Sequence, residues 1–84
     1  MSDLPQRFAD AQVRIKPVTG LGNDTMLELY ALYKQATTGD VDGGRPGMMD
    51  LRGRAKYDAW AKRKGMTKDA AMQAYIELVA KHVK

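Results

Sequence analysis

Residues 30–65 have the sequence Y-A-L-Y-K-Q-A-T-T-G-D-V-D-G-G-R-P-G-M-M-D-L-R-G-R-A-K-Y-D-A-W-A-K-R-K-G, and they carry more information than any other part of the chain. Tyr30, Tyr33 and Lys34 stand at positions i, i+3 and i+4, so a helix would present them on one face. A glycine-rich turn follows, and then a second, basic helix that carries Lys56. Lysine binds phosphate and an aromatic face can stack on a purine, so this arrangement indicates a site for a phosphorylated aromatic ligand. Tyrosines at this spacing are also typical of an ordinary helical core.

The apolar residues predict an all-α chain. No segment shows the sustained alternation of apolar and polar residues that a half-buried strand requires. In the second helix, Thr25 and Glu28 have the spacing of a capping box, and Gly39 is a natural C-terminal cap. A first helix is indicated by apolar residues at helical spacing between a cap and a proline: Leu4, Phe8, Ala11 and Ile15, after Ser2 or Asp3 and before Pro17.

Residues 39–49 are rich in glycine and aspartate, so we expect a loop there, ordered by Arg45. Asp50 can cap a third helix that ends at Gly65, and Thr67 can cap a fourth. The fourth helix is expected to turn one apolar stripe inward: Met72, Tyr75, Ile76, Val79 and Val83. These four helices are expected to form a bundle.

The chain has 84 residues, which is enough for one small domain, and we expect residues 1–84 to form it. It has no cysteine, so packing alone must hold the fold and no thiolate metal site can form. No apolar stretch approaches the ~20 residues that span a bilayer, and the N-terminus has no basic segment leading into an apolar run. We therefore expect a cytoplasmic protein without stable membrane insertion.

The formal net charge is +4 at pH 7, which favours anionic partners. Six basic residues lie in a short segment that is opposed only by Asp58: Arg52, Arg54, Lys56, Lys62, Arg63 and Lys64. They indicate either a solvated helix face or a basic binding surface. A small basic helical module that binds nucleic acid or a protein partner is therefore an alternative function.

Catalysis by a side-chain nucleophile is not expected. Ser2 is the only serine and His82 the only histidine, so a nucleophile and a base cannot be paired from core elements. The glycine-rich turn lacks the Lys and Ser or Thr of a P-loop and the final Glu of a calcium loop. We therefore expect no enzyme activity, no catalytic residue, no metal and no cofactor.

The order of the motifs resembles the acyl-CoA-binding protein family. Four stretches carry the resemblance: Y-x-x-Y-K-Q-A-T-x-G-D at 30–40, R-P-G-M at 45–48, G-x-A-K-Y-D-A-W at 53–60 and A-M-Q-A-Y-I at 71–76. The resemblance implies a four-helix bundle of that family's type. It also implies a carrier and pool former that binds long-chain fatty acyl-CoA thioesters non-covalently. Such a protein would be a monomer that exchanges its ligand with acyl-CoA-using enzymes and binds no nucleic acid.

The resemblance further implies where the ligand binds, with lysines at the coenzyme phosphates and aromatic groups at the adenine. The implied ligand-binding residues are Lys16, Tyr30, Ala31, Leu32, Tyr33, Lys34, Lys56 and Tyr75. Lys16 matches the family only if one residue is deleted in the loop between the first two helices. Five further residues are expected to be core residues that, where the core is left partly open, also form the groove for the acyl chain: Phe8, Ala11, Met26, Leu27 and Ala55.

Overall fold

The structure is a computed structural model that describes residues 3–83. This part of the chain contains four α-helices and no strand: α1 (Leu4–Ile15), α2 (Asn23–Thr37), α3 (Leu51–Ala61) and α4 (Lys68–His82). The predicted all-α fold with four helices is therefore confirmed. A loop of thirteen residues, 38–50, separates α2 from α3 and includes the predicted loop at 39–49.

The helices do not pack in chain order. Helix α4 packs against both α1 and α2, whereas α3 packs against α2 alone, so the order across the molecule is α1, α4, α2, α3. The molecule is accordingly flat, with extents of 41 × 31 × 15 Å. Helix α2 is shared between the two halves of this arrangement, and α3 is attached at one edge.

The core forms where α1, α2 and α4 meet. Its buried apolar residues are Phe8 and Ala11 of α1, Leu29, Leu32 and Ala36 of α2, and Ala71, Tyr75 and Val79 of α4. The predicted inward stripe of α4 is confirmed, because its other members, Met72, Ile76 and Val83, pack against this cluster. Helix α3 contributes no fully buried residue. Its interface with α2 is therefore looser than the core.

Three predicted helix caps are confirmed. The Asp50 side chain accepts a hydrogen bond from the Gly53 N–H at 2.9 Å, and the Thr67 hydroxyl accepts one from the Ala70 N–H at 3.0 Å. Each bond satisfies a backbone donor that the first turn of a helix leaves free. Gly39, which follows the C-cap Thr38, has a φ of 96°, the left-handed conformation that terminates many helices and costs glycine little, and its N–H donates to the Lys34 carbonyl of α2. Of the two predicted caps of α1, Asp3 occupies the position without a side-chain bond, and Ser2 lies outside the described residues.

Two predicted boundaries are wrong. Helix α2 begins at Asn23 with Gly22 as its N-cap, so Thr25 lies inside the first turn and forms no capping box with Glu28. Helix α3 ends at Ala61 instead of Gly65. After Ala61 the chain continues in tighter turns, in which N–H groups bond to the carbonyl three residues back.

Polar contacts fix the loop between α2 and α3. The fully buried Gln35 donates from Nε2 to Asp40 Oδ1 at 2.8 Å and to the Met66 carbonyl at 2.7 Å. The Gly65 N–H also donates to Asp40 Oδ1, at 2.8 Å. The Gly65 bond first, and the Gln35 bond second, lower the pKa of Asp40 below its usual value. These contacts tie the end of α2 to the turn that follows α3.

An ion pair holds the middle of the loop. Arg45 donates to both carboxylate oxygens of Asp58, from Nε at 3.0 Å and from Nη2 at 2.7 Å. These bonds are the main cause of a lowered pKa at Asp58. The expectation that Arg45 orders the loop is therefore confirmed, and the loop is attached directly to α3.

Candidate functional site

Two lysines and two aromatic rings meet across the cleft between α2 and α3. Lys34 Nζ of α2 lies 5.0 Å from the centroid of the Trp60 ring of α3. In the opposite direction, Lys56 Nζ of α3 lies 5.2 Å from the centroid of the Tyr30 ring of α2. Both distances are within the range of cation–π attraction. Each helix therefore presents a cation against an aromatic ring of the other.

Local spacing explains why these four side chains meet. Tyr30 and Lys34 are four residues apart on α2, and Lys56 and Trp60 are four residues apart on α3, so each pair occupies one helix face. The Trp60 ring is also held in place, because its Nε1 donates to the Gly39 carbonyl at 2.8 Å. Lys34 is half-buried, whereas Lys56 is exposed. The two cations are thus at different depths in the same cleft.

An apolar cavity of about 680 Å³ adjoins Lys56 and Tyr30. Its size is within the range of small-molecule sites, about 300–1,000 Å³. Its lining residues come from both helices: Asn23, Met26, Leu27 and Tyr30 of α2, and Leu51, Arg52, Ala55 and Lys56 of α3. Three of the five predicted groove residues, Met26, Leu27 and Ala55, therefore line one cavity whose wall also carries a predicted phosphate-binding lysine.

A second cavity of about 520 Å³ lies between the same two helices. Leu27 and Ala55 line both cavities, and Ala31 borders the second alone. The second cavity is more highly charged, with Asp24, Glu28, Asp58, Lys62 and Arg63 in its wall. Arg63 Nη2 lies 3.9 Å from Glu28 Oε2, so opposite charges face each other across it.

Four of the predicted site and groove residues are buried in the core. Phe8 and Ala11 belong to the α1 side of the core, where the Phe8 ring packs edge-on against Tyr75 with centroids 5.0 Å apart. Leu32 lies in the same core. Helices α1 and α4 cover these four side chains, so their surroundings are apolar. None of the four lines either of the α2–α3 cavities.

Tyr33 connects this core to the surface. Its ring stacks on Phe8, with centroids 6.1 Å apart, while its side chain remains exposed. Burial, and secondarily the proximity of Tyr33, raise the pKa of the Tyr75 hydroxyl above its ordinary value. Tyr33 and Tyr75 thus contact the same Phe8 ring, and of the two only Tyr33 is exposed to solvent.

Lys16 is not joined to the cleft by any contact among residues 3–83. It is the exposed C-cap of α1, with helical φ and ψ. Since α1 packs on α4, on the far side of α2 from α3, the fold itself does not bring Lys16 to the two cavities.

Sequence reasoning missed Trp60, Leu51 and Arg52 as members of the site. The spacing could have identified them, because Arg52, Lys56 and Trp60 follow one another at intervals of four residues and share a face of α3. Leu51 precedes Ala55 by the same interval. The second cavity had no such signal, since its charged residues resemble an ordinary solvated surface.

The described residues contain neither a helix that could span a membrane nor a cluster of side chains that could hold a metal ion. No helix within residues 3–83 has the length and apolar character needed to cross a membrane. In the same range, no group of three His, Asp or Glu side chains is placed to hold a metal ion.

Comparison with a family model and with curated proteins points to one family. The family model described as "Acyl CoA binding protein" matches residues 5–79. The acyl-CoA-binding protein homolog 1 of Caenorhabditis elegans is 49% identical over 73 residues, which cover 86% of this chain and 85% of that protein.

Solved structures agree with the sequence comparisons. The crystal structure of acyl-CoA-binding protein 2 from Oryza sativa superposes with a TM-score of 0.91 at 40% identity, over 94% of this chain and 89% of that one. The protein of the same type from Moniliophthora perniciosa superposes with a TM-score of 0.83 at 37% identity, over 96% and 82% of the two chains. By sequence along most of its length and by the arrangement of all four helices, this chain belongs to the acyl-CoA-binding protein family.

Proposed function

We propose that the protein binds long-chain fatty acyl-CoA thioesters non-covalently in the cleft between α2 and α3, as a carrier and pool former. The observation that carries this proposal is the pair of crossed lysine–ring contacts beside an apolar cavity of about 680 Å³. Acyl-CoA is divided in the same way, with phosphates and an adenine at one end and an alkyl chain at the other. Family membership supports the same ligand class.

The head-group end of the site would use Lys34 and Lys56. A lysine binds phosphate as a flexible point charge, and both of these side chains rest on a ring instead of pairing with a carboxylate in the described part of the chain. Their charges therefore remain available to an anion. Tyr30 and Tyr33 would donate hydrogen bonds to phosphate, and Tyr75, which packs on Phe8 as Tyr33 does, would support the adenine end. Lys16 is a further candidate for the head-group.

The acyl end of the site would use the cavity lined by Met26, Leu27 and Ala55. Removing a methylene from water contributes ~0.8 kcal/mol, so ten buried methylenes would contribute ~8 kcal/mol before the entropy of binding is subtracted. Methionine is flexible and polarisable, which suits a wall that must follow an alkyl chain. Phe8 and Ala11 would then stabilise the core behind the site, and a direct contact with the chain would require the core to open.

In the proposed carrier role, the protein binds the thioester and leaves it chemically unchanged. His82 is exposed near the end of α4, and the chain has no cysteine. A thioester bound beside Lys56 would therefore meet charge and apolar surface but no paired nucleophile and base. Monomeric state, a cytoplasmic location and exchange with acyl-CoA-using enzymes belong to the same proposal. The alternative of a nucleic-acid-binding or protein-interaction module is not supported by the comparisons.

A series of ligands tests this proposal through thermal stability. A ligand that binds only the folded state stabilises it by RT ln(1 + [L]/Kd), so the melting temperature reports affinity. We expect the shift to be small for free CoA, to rise with acyl length and to level off when the cavity is filled. Free fatty acid should give a small shift, because it leaves the lysines unpaired.

The same series can refute the proposal. Equal shifts from free CoA and palmitoyl-CoA, measured below micelle-forming concentrations, would exclude a site divided between head-group and chain. An oligonucleotide is the control for charge alone. Stabilisation by the oligonucleotide, without dependence on acyl length, would favour the nucleic-acid alternative.

A further inference from the structure

The methionines of residues 3–83 fall into two groups that differ in exposure to solvent. Met26 is 55% exposed, Met48 79% and Met49 97%. Met66 and Met72 are partly buried, and both pack against the core cluster. A soluble oxidant has to reach the sulfur atom of a methionine in order to oxidise it, so the three exposed residues are the ones open to this reaction.

Met26 differs from the other two exposed methionines in what its side chain borders. It lines the apolar cavity of about 680 Å³ between α2 and α3, and neither Met48 nor Met49 does. Within the described chain, Met26 is also the one sulfur-bearing residue in the wall of this cavity. A chemical change at its sulfur therefore alters the cavity wall, whereas the same change at Met48 or Met49 alters only the outer surface.

A hydroperoxide oxidises a thioether in one two-electron step. A sulfur lone pair attacks the terminal oxygen of the peroxide, the O–O bond breaks and an S–O bond forms. The proton on the transferred oxygen passes to the leaving oxygen, which departs as water when the oxidant is hydrogen peroxide. Sulfur loses the two electrons that the peroxide gains, so no other reactant is required. The product is a polar sulfoxide in place of a flexible apolar side chain.

We propose that Met26 is a site of reversible oxidation, through which hydroperoxides lower the affinity of the α2–α3 cavity for an acyl chain. The sulfoxide oxygen is a strong hydrogen-bond acceptor. It loses water when an alkyl chain covers it, and the chain has no donor to replace that water. Oxidation of Met26 does not itself depend on a ligand. Its effect on affinity rests on the proposed function.

A bound acyl chain and a peroxide compete for access to this side chain. An alkyl chain in the cavity would cover Met26 and shield its sulfur, while Met48 and Met49, outside the cavity, would keep their exposure. The free protein is then the form that is oxidised, and the loaded protein is protected. Met48 and Met49 serve as internal references, because a general consumption of peroxide by the ligand would slow all three reactions equally.

Peptide mapping by mass spectrometry tests the oxidation. The full chain is treated with limiting hydrogen peroxide, and the sulfoxide at each methionine is measured over time. Palmitoyl-CoA is absent from one series and present in the other, below micelle-forming concentrations. Without ligand, Met26, Met48 and Met49 should oxidise faster than Met66 and Met72. With ligand, the rate at Met26 should fall severalfold, whereas the rates at Met48 and Met49 should stay the same.

Two leucine variants assign the change in affinity to one side chain. Met26→Leu keeps the cavity wall apolar without a sulfur atom, and the matched control Met48→Leu/Met49→Leu removes the two surface thioethers but keeps Met26. Calorimetry with palmitoyl-CoA compares each protein with itself before and after peroxide. The dissociation constant should rise about tenfold in the parent and in the double variant, the usual effect of burying an unpaired polar group. It should not change in Met26→Leu, and methionine sulfoxide reductase should restore the parent.

The two measurements separate this proposal from the proposed function. The proposal is overturned if Met26 oxidises no faster than Met66 and Met72, or if palmitoyl-CoA does not protect it. It is also overturned if the oxidised parent keeps its affinity, or if peroxide weakens binding by Met26→Leu as much as by the parent. If palmitoyl-CoA does not bind the untreated parent, the proposed function fails and the effect on affinity fails with it, while the mapped oxidation of Met26 stands.

Discussion

Lys56→Met removes one of the two cations of the candidate site while keeping an unbranched side chain. Lys56 Nζ rests on the Tyr30 ring and borders the apolar cavity. If it binds a coenzyme phosphate, the variant loses a charge-assisted hydrogen bond, which contributes about 1.5–3 kcal/mol. The dissociation constant for palmitoyl-CoA should then rise by about 10- to 150-fold.

The fold should tolerate this change. Lys56 is exposed, and a cation–π contact at an exposed position contributes about 0.5–1 kcal/mol. Methionine preserves the apolar stem that covers Tyr30, so even this contribution is partly retained. Thermal denaturation without ligand should therefore give nearly the parent melting temperature, which separates loss of binding from loss of fold.

Lys62→Met is the matched control. Lys62 is also exposed and follows the end of α3, but it borders the second cavity, away from Tyr30. Both variants change the net charge by one, so general attraction of an anionic ligand weakens equally in the two. Calorimetry should show a large loss of affinity for Lys56→Met and a change of no more than about twofold for Lys62→Met at moderate salt.

Two results would refute the reasoning. An unchanged affinity in Lys56→Met would remove this lysine from the phosphate site. An equal loss in both variants would show that the ligand senses only overall charge.

The remaining predictions concern acid stability and chemistry. Because hydrogen bonds hold the pKa values of Asp40 and Asp58 below their usual value, the stability they contribute is fully present above pH about 4 and is lost as the pH falls through the lowered pKa values. The melting temperature should therefore fall in strong acid, and less steeply for Asp40→Asn or Asp58→Asn; parent-like steepness in both variants would contradict this account. Incubation with palmitoyl-CoA should release free thiol no faster than buffer does, measured with a thiol reagent, and release that a point substitution abolishes would contradict the carrier role.

Local signals in the sequence were sufficient for the helices but not for all of their ends. Asp50 and Thr67 cap their helices as predicted, because a cap needs only neighbours along the chain. The end of α3 depends on a distant residue. Gly65 donates to Asp40, twenty-five residues earlier, and the chain leaves the α-helix before it reaches this contact. No local pattern contains such information.

The candidate site shows the same division. Spacing on one helix identified Tyr30 and Lys34 as a pair, and the family pattern added Lys56. Neither signal could predict that each lysine would lie on an aromatic ring of the other helix, Lys34 on Trp60 and Lys56 on Tyr30. That arrangement depends on how α2 and α3 pack. Burial of Tyr75 and Phe8 likewise depends on the cover that α1 and α4 provide together.

The unequal packing of the helices gives the proposed ligand a structural role. Helix α2 buries Leu29 and Leu32 in the core, which fixes its position. Helix α3 has no buried residue and contacts α2 alone, with cavities on both sides of the shared pair Leu27 and Ala55. An alkyl chain in the cavity would add apolar contacts to an interface in which no residue of α3 is fully buried, and phosphates between Lys34 and Lys56 would join the same two helices electrostatically. Binding energy would therefore also hold α3 on α2, so both ends of the ligand should contribute to the stability of the complex.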